Sequence, residues 1–437
     1  MHKFGRKDMF KIDYTQFRTH LSKRRRTAAT RELTKMAYSA SNSVISLAEG
    51  MPNEEMFPFT EMTIKLNDGT DFVLEGEELG AALQYIPSQG YPPLLQAFRE
   101  FQRKAHMPPN WENREMIVVA GGQDGCSKVL EAIVGPGEPI ITQNPLYPGV
   151  TVVIAPHEPE FILIDEDEEG MSAINLRQRL EERVAAGLTM PKLMYINPTG
   201  NNPTGTVMSL ERRLDIYKIA CEYNFLILDD DPYHFLYFTD EAPRSFLSLD
   251  TEGRVIRVDS FSKVLSSGLR VGIITAPAQL IQSFELHMQS SHLHAPTLSQ
   301  VILYKLLKSW GYDKMMDHYR KIRKFYKDRR DTIVQLAREH LGDLVEFNVP
   351  SAGLFLWLRV PEIKDTWKMI MHRGVVHGVL VAPGAAFMVD ATQPCNAIRA
   401  SFARASYKEM NLAMERLASL IRDELKKNRK LPLHNNT

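Results

Sequence analysis

Lys192-Leu193-Met194-Tyr195-Ile196 and Phe225-Leu226-Ile227-Leu228-Asp229-Asp230-Asp231, with a helical pattern over 209–223 between them, decide the fold. Short apolar runs without alternation read as strands buried on both faces, and a helical crossover returns the second strand parallel to the first. The rhythm continues both ways. Upstream lie strands at Met116–Ala120, Pro139–Thr142 and Phe161–Ile164, a turn Gly121-Gly122-Gln123-Asp124-Gly125 leading into a helix over 126–134, and a helix over 174–186. Downstream lie Val255–Val258 and Val271–Ile274. The pattern predicts an α/β fold whose large domain is a mostly parallel sheet flanked by helices.

Beyond this centre, 14–40 reads as a helical entry segment, Ile45-Ser46-Leu47-Ala48 as a short strand and Glu49–Asn53 as a turn. A helix is expected over 92–106, with Leu94, Leu95 and Phe98 on one face. A long helix over about 312–340 leads to strands at Phe355–Leu358 and Ile398–Phe402 and a last helix over 407–426. The expected organisation is a basic extension (1–30), an arm belonging partly to a small domain (31–70), the large domain (71–315), a connecting helix with the C-terminal small domain (316–426), and a flexible tail (427–437). The smaller domain is expected to be α+β and built from N- and C-terminal segments.

With 437 residues and 44% hydrophobic composition, the chain can bury a large core. Lys+Arg and Asp+Glu stand at 53 each, so no global attraction to nucleic acid or an acidic membrane is expected. No run of about 18 apolar residues suggests a membrane span. Three scattered cysteines, Cys126, Cys221 and Cys395, suit a reducing compartment, cytoplasm or mitochondrial matrix. The first 31 residues carry ten Lys/Arg against Asp8 and Asp13. This segment reads as a solvated arm, a transit peptide or a nucleic-acid-binding arm.

Ligands in open α/β sheets sit at the carboxyl ends of strands. Four such places carry unusual polar groups: 121–125, Asn202, Asp229–Tyr233 and Ser260–Lys263. In Ser260-Phe261-Ser262-Lys263-Val264-Leu265-Ser266-Ser267-Gly268-Leu269-Arg270, a lysine amine stands among hydroxyls and a guanidinium. Such an amine becomes nucleophilic when burial or nearby cations lower its pKa, and the hydroxyls and guanidinium suit a phosphate dianion. An ordinary serine-rich surface turn is the alternative. The glycine cluster at 121–125 offers free N–H groups to an anion, or is simply a helix start capped by Asp124. Asp230 and Tyr233 bracket Pro232 and could meet a ring nitrogen and a phenolic oxygen, or form a charged turn. Metal binding is discounted, because only His234 lies nearby. Asn201-Asn202-Pro203-Thr204-Gly205 is a turn whose Asn-Pro bond could be cis. Arg399, inside an apolar strand, needs an anion, either an internal carboxylate or that of a substrate.

In this order, Asn202-Pro203-x-Gly205, Asp230-x-x-Tyr233, Ser260-x-Ser262-Lys263, Arg270 and Arg399 resemble the fold-type I aminotransferases of class I/II over about residues 14–426. Longer runs, Ile45–Asn53, Ala82–Ser88, Gly200–Gly205, Asp230–Tyr233 and Ser260–Arg270, look closest to kynurenine/2-aminoadipate aminotransferases of mitochondrial type and their aromatic relatives. The resemblance implies pyridoxal 5'-phosphate held on Lys263 as a Schiff base, with Lys263 later moving the substrate proton. Asp230 would keep the ring nitrogen protonated; Asn202 and Tyr233 would bond the phenolic oxygen; Tyr147 would stack on the ring. Gly122, Gln123, Ser260, Ser262 and Arg270 would hold the phosphate, and Tyr85 would reach the phosphate across a homodimer with shared sites. Arg399 and Asn202 would meet the substrate carboxylate, while Gly50 and Arg31 would line the side-chain pocket. Departures are Gly122 in place of a frequent serine, Glu49 in place of a glycine, and Asp124, expected to cap its helix and point away.

The implied reaction is transamination from kynurenine, 2-aminoadipate or aromatic amino acids to 2-oxoglutarate. A cysteine-conjugate β-lyase on the same scaffold and a non-catalytic PLP-binding regulator are the alternatives. The roughly 30 residues before the fold are too few for the winged helix such regulators add.

Overall fold

The computed structural model describes residues 10–39, 47, 48 and 50–430. A hairpin of β1 (Glu61–Lys65) and β2 (Asp71–Glu75) precedes the main sheet. That sheet contains β3 (Arg114–Val119), β4 (Pro139–Asn144), β5 (Glu160–Asp167), β6 (Gly170–Met171), β7 (Leu193–Ile196), β8 (Leu226–Asp230), β9 (Val255–Ser260) and β10 (Gly272–Pro277), in the order β3-β10-β9-β8-β7-β4-β5-β6. The run β5-β4-β7-β8-β9 is parallel; β10 lies antiparallel between β9 and β3, and β6 is antiparallel at the edge. The expected α/β architecture and mostly parallel sheet are therefore present. The small sheet is β11 (Phe355–Arg359), β12 (Ala382–Pro383) and β13 (Ala397–Ser401), in the order β11-β13-β12.

The helix Pro92–His106 stands where its periodicity put it, with Leu94 and Phe98 buried. Several boundaries differ. The entry segment is three short pieces, Tyr14–Phe17, His20–Arg24 and Ala29–Ser39, the first two opened by the side-chain caps Asp13 and Thr19. Residues 10–25 are not a solvated arm: Tyr14 and Phe17 are buried in the core of the main sheet, and the Tyr14 hydroxyl donates to the Gly253 carbonyl at 2.8 Å. Leu47 and Ala48 form no strand and Leu47 is exposed, while Ile45, Ser46 and Glu49 fall outside the described residues. The helix expected over 126–134 is Gly122–Ile133, so the glycine-rich turn is already helical from Gly122. The last helix continues to Lys430, past the expected start of the tail.

The long helix runs Thr297–Leu341 and is broken at Gly311, whose φ of 62° and ψ of −172° lie outside the helical region. Only glycine takes that conformation without strain, and it separates the segment expected over 312–340 from the turns before it. The small-domain core runs from Ile333 to Leu425 and adds Phe238; no described residue before Phe238 joins it. Tyr14 and Phe17 pack on the large domain, and Arg31 donates to Ser88 Oγ.

At the carboxyl ends of β8 and β9 the period of two sorts side chains onto opposite faces. Asp229 and Asp231 share one face with Arg257 and Asp259; Asp230 and Ser260 take the other. Arg257 is fully buried and holds Asp229 at 2.9 Å, Asp231 at 3.1 Å and Asp259 at 2.9 Å. Gln102, from the helix Pro92–His106, also donates to Asp259, and His234 meets Asp231 at 2.9 Å. Burial raises Asp229; Asp231, which burial alone would also raise, is held low by His234 and Arg257.

Removing this guanidinium would strand three carboxylates. The substitution Arg257→Met is expected to cost about 3–5 kcal/mol, the usual penalty of breaking a buried ion pair. Urea denaturation measures it, and a loss below about 1 kcal/mol would show that the two strand ends do not depend on the clasp.

Candidate active site

The four strand ends converge. Gly122, Gln123, Tyr147, Asn202, Asp230, Tyr233, Ser260, Ser262, Lys263, Arg270 and Arg399 all line one cavity of about 350 Å³. Strands supply the positions: β8 ends at Asp230, β9 ends at Ser260 with Lys263 three residues beyond, and β13 carries Arg399 in from the small domain.

At one end stands an anion cradle. The helix Gly122–Ile133 opens there, and its first N–H groups have no intrahelical acceptor. Arg270 donates to Ser262 Oγ at 3.3 Å and to the Ala120 carbonyl at 3.1 Å. Gly121, at φ 88°, makes this approach possible, since a Cβ there would sit 2.4 Å from Arg270 Nη2. Asp124 turns away from the cradle: it accepts from the Ala120 N–H at 2.9 Å and pairs with Lys128 at 2.5 Å. The cap expected of it is thus made backwards, onto Ala120, two residues before the helix begins.

In the middle, Asp230 is buried and its carboxylate accepts from the Tyr195 hydroxyl at 2.8 Å. Burial lifts its carboxyl to about 6, against the hydrogen bonds from Tyr195 and Cys126 that hold it down. Tyr233 is buried edge-on to Phe355, and burial followed by the charge of Asp230 raises its phenol. Lys263 is half-buried, and its amine is lowered by burial, then by Arg399 and Arg270. Gln123 donates to the Gly149 carbonyl at 2.7 Å, in the first turn of the helix Pro148–Ile154 that follows Tyr147.

At the far end, Arg399 lies between Phe355 and Phe387, 4.1 and 4.6 Å from the ring centroids. Its Nη1 donates to Asn202 Oδ1 at 2.7 Å, its Nε is buried without a partner, and no carboxylate among the described residues pairs with it. Of the two anions open to Arg399, an internal carboxylate is not found among the described residues. Because Arg399 occupies Asn202 Oδ1, the Nδ2 group of Asn202 is left as its donor.

Three expected residues lie outside this cavity in their own chain: Arg31, Gly50 and Tyr85. Arg31 is buried, donating to Ser88 Oγ at 3.1 Å and to the Ile86 carbonyl at 2.5 Å. Tyr85 is 44% exposed and edge-on to His294, and Gly50 is exposed. The Asn202-Pro203 bond is trans; the cis bond is Asn144-Pro145. Sequence reasoning missed Tyr195, Asn197, Ser267 and Phe355 on the cavity wall. Tyr195 and Asn197 stand at the end of β7, so the strand-end rule applied to its neighbours would have found them.

The chain matches the family described as aminotransferase class I and II over residues 42–417. The chain belongs to that family. It is 39% identical to the mitochondrial kynurenine/alpha-aminoadipate aminotransferase of Mus musculus, over 95% of this chain and 100% of that protein. It is similar to a multiple substrate aminotransferase from Thermococcus profundus, at 31% identity and TM-score 0.76, over 95% of this chain and all of that one. A kynurenine aminotransferase from Pyrococcus horikoshii, crystallised with PMP, KYN and KYA, aligns at 28% identity and TM-score 0.75, over 94% and 98% of the two chains. The enzyme is a PLP-dependent aminotransferase, and the cavity fits that cofactor: an amine of lowered pKa, a buried carboxylate, hydroxyl donors and an anion cradle stand in one space.

Two outcomes follow for this aminotransferase. Gly121→Ala is expected to displace Arg270 and weaken cofactor retention by about tenfold or more, the loss of one charge-assisted hydrogen bond, read by fluorescence titration of apoprotein. Removing the charge of Arg399 should let the Lys263 amine rise toward its ordinary range, because Arg399 is the second cause that lowers it, after burial. In Arg399→Met the pH limb for cofactor capture should therefore move to higher pH; an unmoved limb would disprove the coupling.

Proposed function

We propose that this aminotransferase passes the amino group of large amino acids, kynurenine, 2-aminoadipate and aromatic amino acids, to a 2-oxo acid such as 2-oxoglutarate. The observation that carries the reading is Arg399: a half-sequestered guanidinium with a partnerless Nε, walled by two aromatic rings, in the cavity that holds Lys263. Such a group fits a substrate carboxylate bidentately. Pyridoxal phosphate, when bound, supplies an aldehyde to carry the amino group and a cationic ring to draw electrons from the substrate Cα.

The chain's own residues do the rest. Lys263 Nζ would hold the cofactor and move the proton at the substrate Cα, for which a lowered pKa suits it. Asp230 would pair with the ring nitrogen, Tyr233 and Asn202 Nδ2 would donate to the ring oxygen, and Tyr147 would stack on the ring. Gly122, Gln123, Ser260, Ser262 and Arg270 would hold the phosphate. Phe355 and Phe387 exclude water from Arg399 and offer apolar walls to a bulky side chain. The names of the mouse and Pyrococcus relatives support the same substrate class.

Tyr85, which is exposed, is proposed to reach the partner's phosphate across a homodimer, and Gly50 and Arg31 are proposed to line the side-chain pocket. No helix of the described residues is long and apolar enough to cross a membrane. We place the protein in the cytoplasm or mitochondrial matrix; because Tyr14 and Phe17 are core residues, any processing would fall before Phe10.

Borohydride reduction of the holoenzyme should place the pyridoxyl label on Lys263 and nowhere else. In a donor screen against 2-oxoglutarate, Arg399→Met should raise KM by about tenfold or more for every donor, the worth of one charge-assisted hydrogen bond. An unchanged KM would refute the carboxylate clamp.

A further inference from the structure

We infer that Asn197 is a positioning residue that ties Asp230 to Asn202 from beneath the cavity. Its Nδ2 donates to the Asp230 main-chain oxygen at 2.6 Å, and its Oδ1 accepts from the Asn202 N–H at 2.9 Å. It is 3% exposed and lines the cavity between the two residues it joins. Its own N–H leans on Gln143 Oε1 at 3.4 Å.

The chemistry of the neighbours sets the amide's orientation. One is a carbonyl, which only accepts; the other is an N–H, which only donates. Asparagine alone among residues of this size answers both at once. Leucine answers neither, and aspartate answers only Asn202. Glutamine adds a methylene where there is almost no free surface.

The link is one of three in series. Asp230 is joined through Asn197 to Asn202, and Asn202 Oδ1 accepts from Arg399 Nη1 at 2.7 Å. The carboxylate opposite the ring nitrogen, the amide beside the ring oxygen and the clamp for the substrate carboxylate are thereby set relative to one another. Asn197 touches neither ring nor substrate in this scheme and acts through the residues it holds. The inference rests on the ring roles proposed for Asp230 and Asn202.

The test compares holoenzymes of wild type, Asn197→Leu and Asn197→Asp. The readouts are the pH titration of the bound cofactor's visible absorbance, kcat and KM separately, melting temperature, and the site of the borohydride label. Asn197→Leu should shift the spectral titration, lower kcat by about tenfold or more, the worth of one oriented hydrogen bond, and raise the donor KM. Asn197→Asp keeps the acceptor for Asn202, so its KM should lie nearer wild type while the spectrum and kcat stay altered. Wild-type spectra and kcat in both variants would overturn the inference. So would a loss of activity that only tracks the unfolded fraction. A wild type without label on Lys263 would instead sink the cofactor reading, and this inference with it.

Discussion

One buried guanidinium fixes the relation between the two strand ends on which the chemistry stands. Arg257 crosses from β9 to β8 and meets three carboxylates, each next in sequence to a residue of the cavity wall. Asp229 and Asp231 flank Asp230, and Asp259 precedes Ser260. The pleat does the remainder: with the odd-numbered side chains locked on one face, Asp230 and Ser260 must point to the other. The ion pairs work at a distance of one residue from the ligand groups and on the far side of the sheet. Such clusters add little net stability, since desolvation offsets much of the attraction. What they contribute is register.

Most of the sheet could be read from the chain because parallel strands buried on both faces are written as unbroken apolar runs, as at 193–196 and 226–228. The converging polar strand ends could be read for the same reason, being the places where those runs stop. The face carrying Arg257 could not. Four charged side chains inside a sheet look, in sequence, like the end of a strand, and only pairing across two strands separated by 28 positions makes them interior. The N-terminal segment failed differently. Its basic residues dominate its composition, and the aromatic residues Tyr14 and Phe17 that tie it to the main sheet are few. The glycines at 121 and 122 have low helix propensity, yet the helix starts there because Gly121 turns the chain under Arg270.

Arg31, Gly50 and Tyr85 show the limit of reading by resemblance. The role proposed for Tyr85 depends on a second copy of the chain, and within one chain Arg31 is already engaged by Ser88 and Ile86. Tyr195 and Asn197 show the opposite case. Both stand at a strand end and both hold Asp230 on the cavity wall, but neither belongs to the short motifs by which the family is recognised.

The break at Gly311 divides the load as well as the helix. The cradle, the carboxylate and the lysine all belong to segments before it; Arg399 arrives on β13, after it. The segments before and after the break meet at the Asn202–Arg399 contact, at Leu146, which donates to the Phe387 carbonyl, and at Ser351, which donates to the Gly205 carbonyl. The wall of one cavity is thus shared by stretches far apart along the chain, so its shape depends on how those stretches are held against each other.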